Sequence, residues 1–286
     1  MILNPFIYQS GGGGSGPILL VTVTGAMATS VTATKSGVTK ALAYDSTLGK
    51  WWAALPSTGT WTVTAYNGVI SSSSTTVSAS NIALYETSLQ LNRLPAGYTE
   101  LEYIQMSGTQ YIDTGINAQD YYNVKSKINS SQNSGLYGGE NGANKNLIYF
   151  FPNKTDILIY GPTTTYVTAD NTFVANTTYT IEVDFLPSHS VKLNGNTISG
   201  TENAGLSDIG PNQNITLFAD KASGAMNYYM TGKCWYLTMF DPSDASEVAN
   251  FIPAKNSSNV VGMYDIVRNG FYTNAGTGVF TAGPVV

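Results

Sequence analysis

Residues 103–116 read YIQMSGTQYIDTGI, and the reading of this stretch decides the fold class. Aromatic and β-branched residues alternate with Thr, Ser and Gln, and Asp113 carries the only charge. Alternation with period 2 marks a strand that buries one face. Thr and Tyr suit the other face because they favour extended backbone more than Lys or Glu do. Hydroxyls and amides in place of charges therefore follow from a sheet with one solvated face, before any function is invoked.

The same pattern runs along the chain. Of 286 residues only 11 % are charged while 42 % are hydrophobic, and 19 are Tyr. No long segment carries the 3.6-residue period of an amphipathic helix. SDASEVANF, 243–251, is the best candidate for a helical turn or two. The expected class is all-β, with many hairpins. A net charge of −5 and the lack of a basic run interleaved with aromatics argue against nucleic acid as a partner. Neither an apolar span of transmembrane length nor a polybasic patch points to membrane insertion. One cysteine excludes an intramolecular disulfide, and Cys234, within KCWYLTMF, is expected to be a buried, inert thiol on a strand. The opening MILNPFIYQS is shorter than a secretory signal and lacks its basic start, so folding inside a cell is expected, with any export by another route.

Three segments separate. Residues 1–16 join the apolar MILNPFIY to a Gly/Ser run, which cannot order itself. This segment reads as a docking arm and linker, with Ile2, Phe6, Ile7 and Tyr8 inserting into a partner's groove or extending its sheet. Residues 17–92 are short alternating runs closed by Gly, Asn, Asp or Ser, as in a small sandwich. In TWTVTAY, Trp61, Val63 and Ala65 share one face, and Thr60, Thr62 and Thr64 the other. RLPAGY, Arg93 to Tyr98, is the join, and residues 93–286 read as a larger sandwich. There Ile181, Val183 and Phe185 should point inward and Glu182 and Asp184 outward, with Asn194-Gly195 forming a tight hairpin turn.

LPAGYTELEYIQMSGTQYIDTGI, 94–116, resembles the start of the concanavalin A-like (laminin-G-like) domains in structural proteins of bacteriophages and prophages, often from gut bacteria. FIPAKNSSNVVGMYDIVRNGFYTNAGTGVFTAGP, 251–284, resembles their end, at the expected distance; Met106 stands where the family usually has Ser. The runs VTVTG, VTATKSG and GTWTVTAYNG are similar to the immunoglobulin-like modules that precede such domains in phage tail proteins. The resemblance implies an immunoglobulin-like sandwich over 17–92 and a concanavalin A-like jelly roll over 93–286. It further implies a virion component at a tail, a fibre or the capsid surface, made in the host cytoplasm and present in several copies or as a homo-oligomer. The family as a whole defines no catalytic or ligand residue.

The chemistry agrees with a non-enzyme. Glycosidases on this scaffold need three carboxylates along one strand, and IEVDFLP offers Glu182 and Asp184 but no third. The one histidine, His189, falls in the turn LPSHS and is expected to be exposed. One Cys and one His cannot make a zinc site. Asp241, Asp244 and Glu247 in DPSDASE fit an ordinary turn, with calcium as the open alternative. Surface recognition of a host glycan remains. Trp51-Trp52 and Tyr121-Tyr122 are adjacent aromatics, and a regular strand must turn one of each pair outward. Tyr121, Tyr122, Tyr137 and Asn141 are the candidate glycan contacts, the alternative being rings that pack on a neighbouring domain or subunit.

Overall fold

The strand Gly59–Asn67 displays the binary pattern at its plainest, with Trp61, Val63 and Ala65 all at most 1 % exposed and Thr60 and Thr62 in solvent. The computed structural model describes residues 16–286 apart from 26–27, 68–70, 119, 132, 142–143, 152–155, 161–163, 169–171, 186–188, 205–212 and 223–224. The expected docking residues Ile2, Phe6, Ile7 and Tyr8 thus lie outside the described residues. The chain divides into two compact units, Met1–Ala96 and Gly97–Val286.

In the first unit, one four-stranded sheet runs Ala43–Asp45, Lys50–Ala54, Ile18–Gly25, Leu84–Leu91. The other four-stranded sheet runs Val38–Ala41, Ser30–Lys35, Gly59–Asn67, Ser71–Ala79. Alternate residues of both, among them Leu19, Val21, Val31, Trp61 and Val63, form one apolar core. The Trp61 indole N–H donates to the Ser57 carbonyl at 3.1 Å, so the largest buried ring leaves no polar atom unmet. First and last strands pair in parallel, Ile18 opposite Leu84 through Gly25 opposite Leu91.

The second unit is a larger, jelly-roll-like sandwich. Its seven-stranded sheet runs Ile112–Asn117, Asn214–Leu217, Ser134–Asn141, Asn144–Phe151, Asp156–Tyr160, Thr164–Thr168, Gly200–Ala204. Its eleven-stranded sheet has Asn196–Ile198, Ser190–Leu193, Thr178–Asp184, Asn123–Ser130, Thr231–Phe240, Glu247–Asn256, Val261–Asp265 and Gly270–Thr273 in that order. Ile104–Ser107, Thr281–Ala282 and Tyr98–Glu100 complete it. Ile104, Tyr137, Phe150, Ile181, Phe185, Phe218 and Phe251 belong to one apolar core between these sheets. Ile181, Val183 and Phe185 point inward as the alternation requires, and Asn194 and Gly195 both take positive φ (49° and 80°), the geometry of a primed hairpin turn. Beginning and end of the unit pair directly, Ile104 with Ala282 and Leu101 with Val285.

Among the described residues there is no helix. The helical turn expected in SDASEVANF is instead a tight turn followed by the strand Glu247–Asn256. Asp241 Oδ1 accepts the Ser243 N–H at 2.8 Å, Ala245 takes φ 58°, and Met239 pairs with Ala249 across the hairpin. Local Asx turns and the sheet ladder together outcompete a helix too short to nucleate by itself.

Candidate functional site

Thr231–Phe240 is central in the eleven-stranded sheet, between Asn123–Ser130 and Glu247–Asn256. Its pairing with Asn123–Ser130 slips by one residue: Lys127 faces Tyr236, whereas Ile128 faces Cys234. Trp235 is therefore the extra residue of a β-bulge. Cys234 and Leu237 on either side are fully buried in the core, while Trp235 and Tyr236 are both half-buried and stand outside it. Two consecutive aromatic rings thus reach the solvent face of one strand, which a regular pleat forbids.

The bulge is surrounded by a continuous strip across the sheet. Tyr103, just before Ile104–Ser107, lies 5.4 Å from the Trp235 ring, tilted by 57°. The Trp235 indole N–H reaches Glu102 Oε1 at 3.5 Å. Lys233 Nζ sits 4.1 Å from the centre of the Tyr103 ring, and Lys127 Nζ 5.1 Å from that of Trp235. Such contacts contribute about 0.5–1 kcal/mol at exposed sites, enough to hold an ammonium in place but not to trap it. Further along, Lys125 pairs with Glu182 at 2.7 Å and Lys192 pairs with it at 3.6 Å. By register, the exposed Gln105 and the half-buried Asn129 flank Lys233. A flat, partly desolvated ring surface edged by amides and ammoniums can stack on an apolar sugar face and bond its hydroxyls.

The expected glycan tyrosines lie elsewhere, and their exposure is corrected. Tyr121 and Tyr122 precede the strand Asn123–Ser130 rather than belonging to it, so no pleat forces one outward. Tyr121 is 7 % exposed, with its ring 6.2 Å from Phe185. Tyr122 packs partly buried against the core and donates its O–H to Asp120 Oδ2 at 3.1 Å; burial, then the Asp120 charge, push its pKa to about 12. Tyr137 is fully buried, 5.9 Å from Phe185, and burial raises its pKa. Its strand slips register between Gly135 and Tyr137, which turns Leu136 and Tyr137 both inward. Asn141 ends that strand, and its side chain lies outside the described residues. Trp51 lies against the core of its own unit, 5.3 Å from the Tyr44 ring.

The other chemistry is accounted for by local bonds. Glu182 has its pKa lowered, first by the hydrogen bond from Lys125 and further by Lys192. A carboxylate held ionised in this way is poorly suited to act as a glycosidase acid. Asp184 accepts the Ser190 hydroxyl at 2.7 Å. His189 is buried rather than exposed, because Tyr166 and Phe185 flank its ring at 6.2 and 6.1 Å. In DPSDASE, Asp241 accepts from the Ser243 N–H and hydroxyl, and Asp244 from the Ser246 N–H. Among the described residues, no group of three or more His, Cys, Asp and Glu could hold a metal ion. Cys234 is fully buried and its thiol is pushed up to about 12 by that burial. Among the described residues, no helix is long and apolar enough to cross a membrane. A second aromatic group joins Tyr149, which is 4 % exposed and donates to the buried Asp220, to the half-buried Tyr160 and the exposed Tyr228, at 6.1 and 5.2 Å.

No family model and no curated protein matches the sequence. Among solved structures, the chain is similar to a Bacteroides ovatus protein described as a candidate carbohydrate-binding protein. The identity is 11 %, the match covers 98 % of this chain and 84 % of that one, and the TM-score is 0.45. A likeness that distant carries no argument about ligand or role.

Proposed function

We propose that this chain is a non-enzymatic structural protein of a bacteriophage particle, in a tail, a fibre or a surface decoration. Its larger sandwich adheres to host-surface glycans through the face built by Tyr103, Trp235 and Tyr236. One observation carries the adhesion reading: the bulge at Trp235 spends a central strand's register on presenting two neighbouring rings to solvent. The virion reading is supported by the resemblance of 94–116 and 251–284 to the two ends of phage concanavalin A-like domains. The non-enzymatic reading is supported by Glu182, which is ion-paired twice and lacks a third carboxylate along its strand. In this reading residues 1–16, with Ile2, Phe6, Ile7 and Tyr8, dock the protein to other virion subunits. Each site binds weakly, and many copies per particle multiply affinity by roughly 10²–10⁴.

The test is binding of the full chain to host cells, displayed as monomer and as multimer, with Trp235→Ala and Tyr236→Ala. Multimer binding that both substitutions abolish, with circular dichroism unchanged, is the expected result. Binding that survives both would remove this face from the reading. A multimer that binds no cell and does not compete with infection would leave a purely structural decoration protein, its outward rings packed on a neighbouring subunit.

A further inference from the structure

We infer that the saccharide held on this face is anionic, carrying a carboxylate, sulfate or phosphate group that Lys127 and Lys233 receive. The inference rests on the adhesion reading above and names the ligand class of the same site.

The protein carries a net charge of −5, so an acidic ligand is repelled by the chain taken as a whole. The face around Trp235 departs from that average. Of the four lysines along it, Lys125 and Lys192 are committed to Glu182. Among the described residues, Lys127 and Lys233 have no carboxylate partner; each ammonium rests over an aromatic ring, 5.1 Å from the centre of Trp235 and 4.1 Å from that of Tyr103. Glu102, an acid of the strip, accepts the Trp235 indole N–H.

Two rings 5.4 Å apart thus hold two ammoniums beside the same stacking surface. Long lysine side chains ordinarily lose much freedom on binding an anion; here the rings have already restricted them, so less is lost when a ligand arrives. A neutral sugar stacked on Trp235 would leave both ammoniums without a counter-charge. An ammonium is a point charge, so it does not select among carboxylate, sulfate and phosphate. Gln105 and Asn129 beside Lys233 remain for sugar hydroxyls.

The experiment titrates the full chain with three oligosaccharide preparations: a polyuronate fragment, the same fragment after carboxyl reduction, and a sulfated neutral fragment. Lys127→Gln, Lys233→Gln and the double variant are compared with the unsubstituted chain. Both anionic probes should bind more tightly than the carboxyl-reduced one. Each single substitution should weaken anionic binding by about two- to five-fold, as for an exposed ion pair. The double substitution should abolish the preference for charge, as should molar salt, where screening acts over about 3 Å. Equal binding of charged and neutral probes, or a preference that survives the double variant, overturns the anionic assignment and leaves adhesion through Trp235 standing. A preference confined to one anionic probe supports the assignment and identifies its source. Binding of none of the probes overturns the assignment, and the cell-binding test then decides adhesion separately.

Discussion

His189 Nδ1 lies 3.3 Å from Glu202 Oε1, yet the neighbouring carboxylate does not govern its titration. Burial between Tyr166 and Phe185 is the larger effect and lowers the imidazole pKa from 6.5, with Glu202 opposing it. The folded protein therefore binds this proton less readily than the unfolded chain. Stability is full above the unfolded pKa and is lost as the pH falls through it toward the folded value. Thermal unfolding of the full chain should show a falling midpoint for the larger unit between pH 7 and pH 5. His189→Gln should flatten that dependence, and a slope unchanged by it would assign the effect to other groups.

Cys234 should not react with iodoacetamide in the folded chain and should react fully in denaturant. Its thiol is buried and its pKa is pushed to about 12, so thiolate is scarce at neutral pH. Mass spectrometry of the alkylated chain checks this. Cys234→Ala should cost about 1 kcal/mol, as a small cavity in a packed core does.

Glu182→Gln removes both ion pairs, to Lys125 and to Lys192. All three groups are partly exposed, so the loss in chemical denaturation should stay at or below about 1 kcal/mol. No glycan cleavage should be detected in either form by reducing-end assay. Product release that this substitution abolished would overturn the non-enzymatic reading.

Gly138→Ala should destabilise the seven-stranded sheet by about 2–4 kcal/mol. Gly138 takes φ +130°, and a Cβ there would meet the Asn146 carbonyl oxygen at 1.8 Å. Since the atoms the Cβ would meet are all backbone of the paired strand, no side chain can yield. A lowered denaturation midpoint for the larger unit is the expected reading.

How much of this was legible in the sequence differs by position. Where the pleat is regular, the alternation read correctly: Trp61, Val63 and Ala65 inward in one unit, Ile181, Val183 and Phe185 in the other. It failed at two of the register slips. At Gly135–Tyr137 an extra residue turns Leu136 and Tyr137 inward together, and at Trp235 another turns Trp235 and Tyr236 outward together. Register slips depend on the partner strand, so no local pattern encodes them. Nothing in KCWY itself marks the Trp235 face, because a regular strand there would send its two rings to opposite sides. His189 differs from the expectation for a related reason: Tyr166, which flanks its ring, comes from the strand Thr164–Thr168, and Phe185, just after Thr178–Asp184, flanks it as well.

The parallel pairing of Ile18–Gly25 with Leu84–Leu91 has a mechanical consequence for the smaller unit. Because the two strands run the same way, the chain comes in at one end of the ladder and leaves at the other, about 23 Å away for eight paired residues. Tension applied through these two points loads the whole ladder in shear, so its hydrogen bonds must break together rather than one after another as in a peeled hairpin. Resistance to pulling is set by the unfolding rate rather than by equilibrium stability. A module connected in this way transmits force along its length while remaining folded.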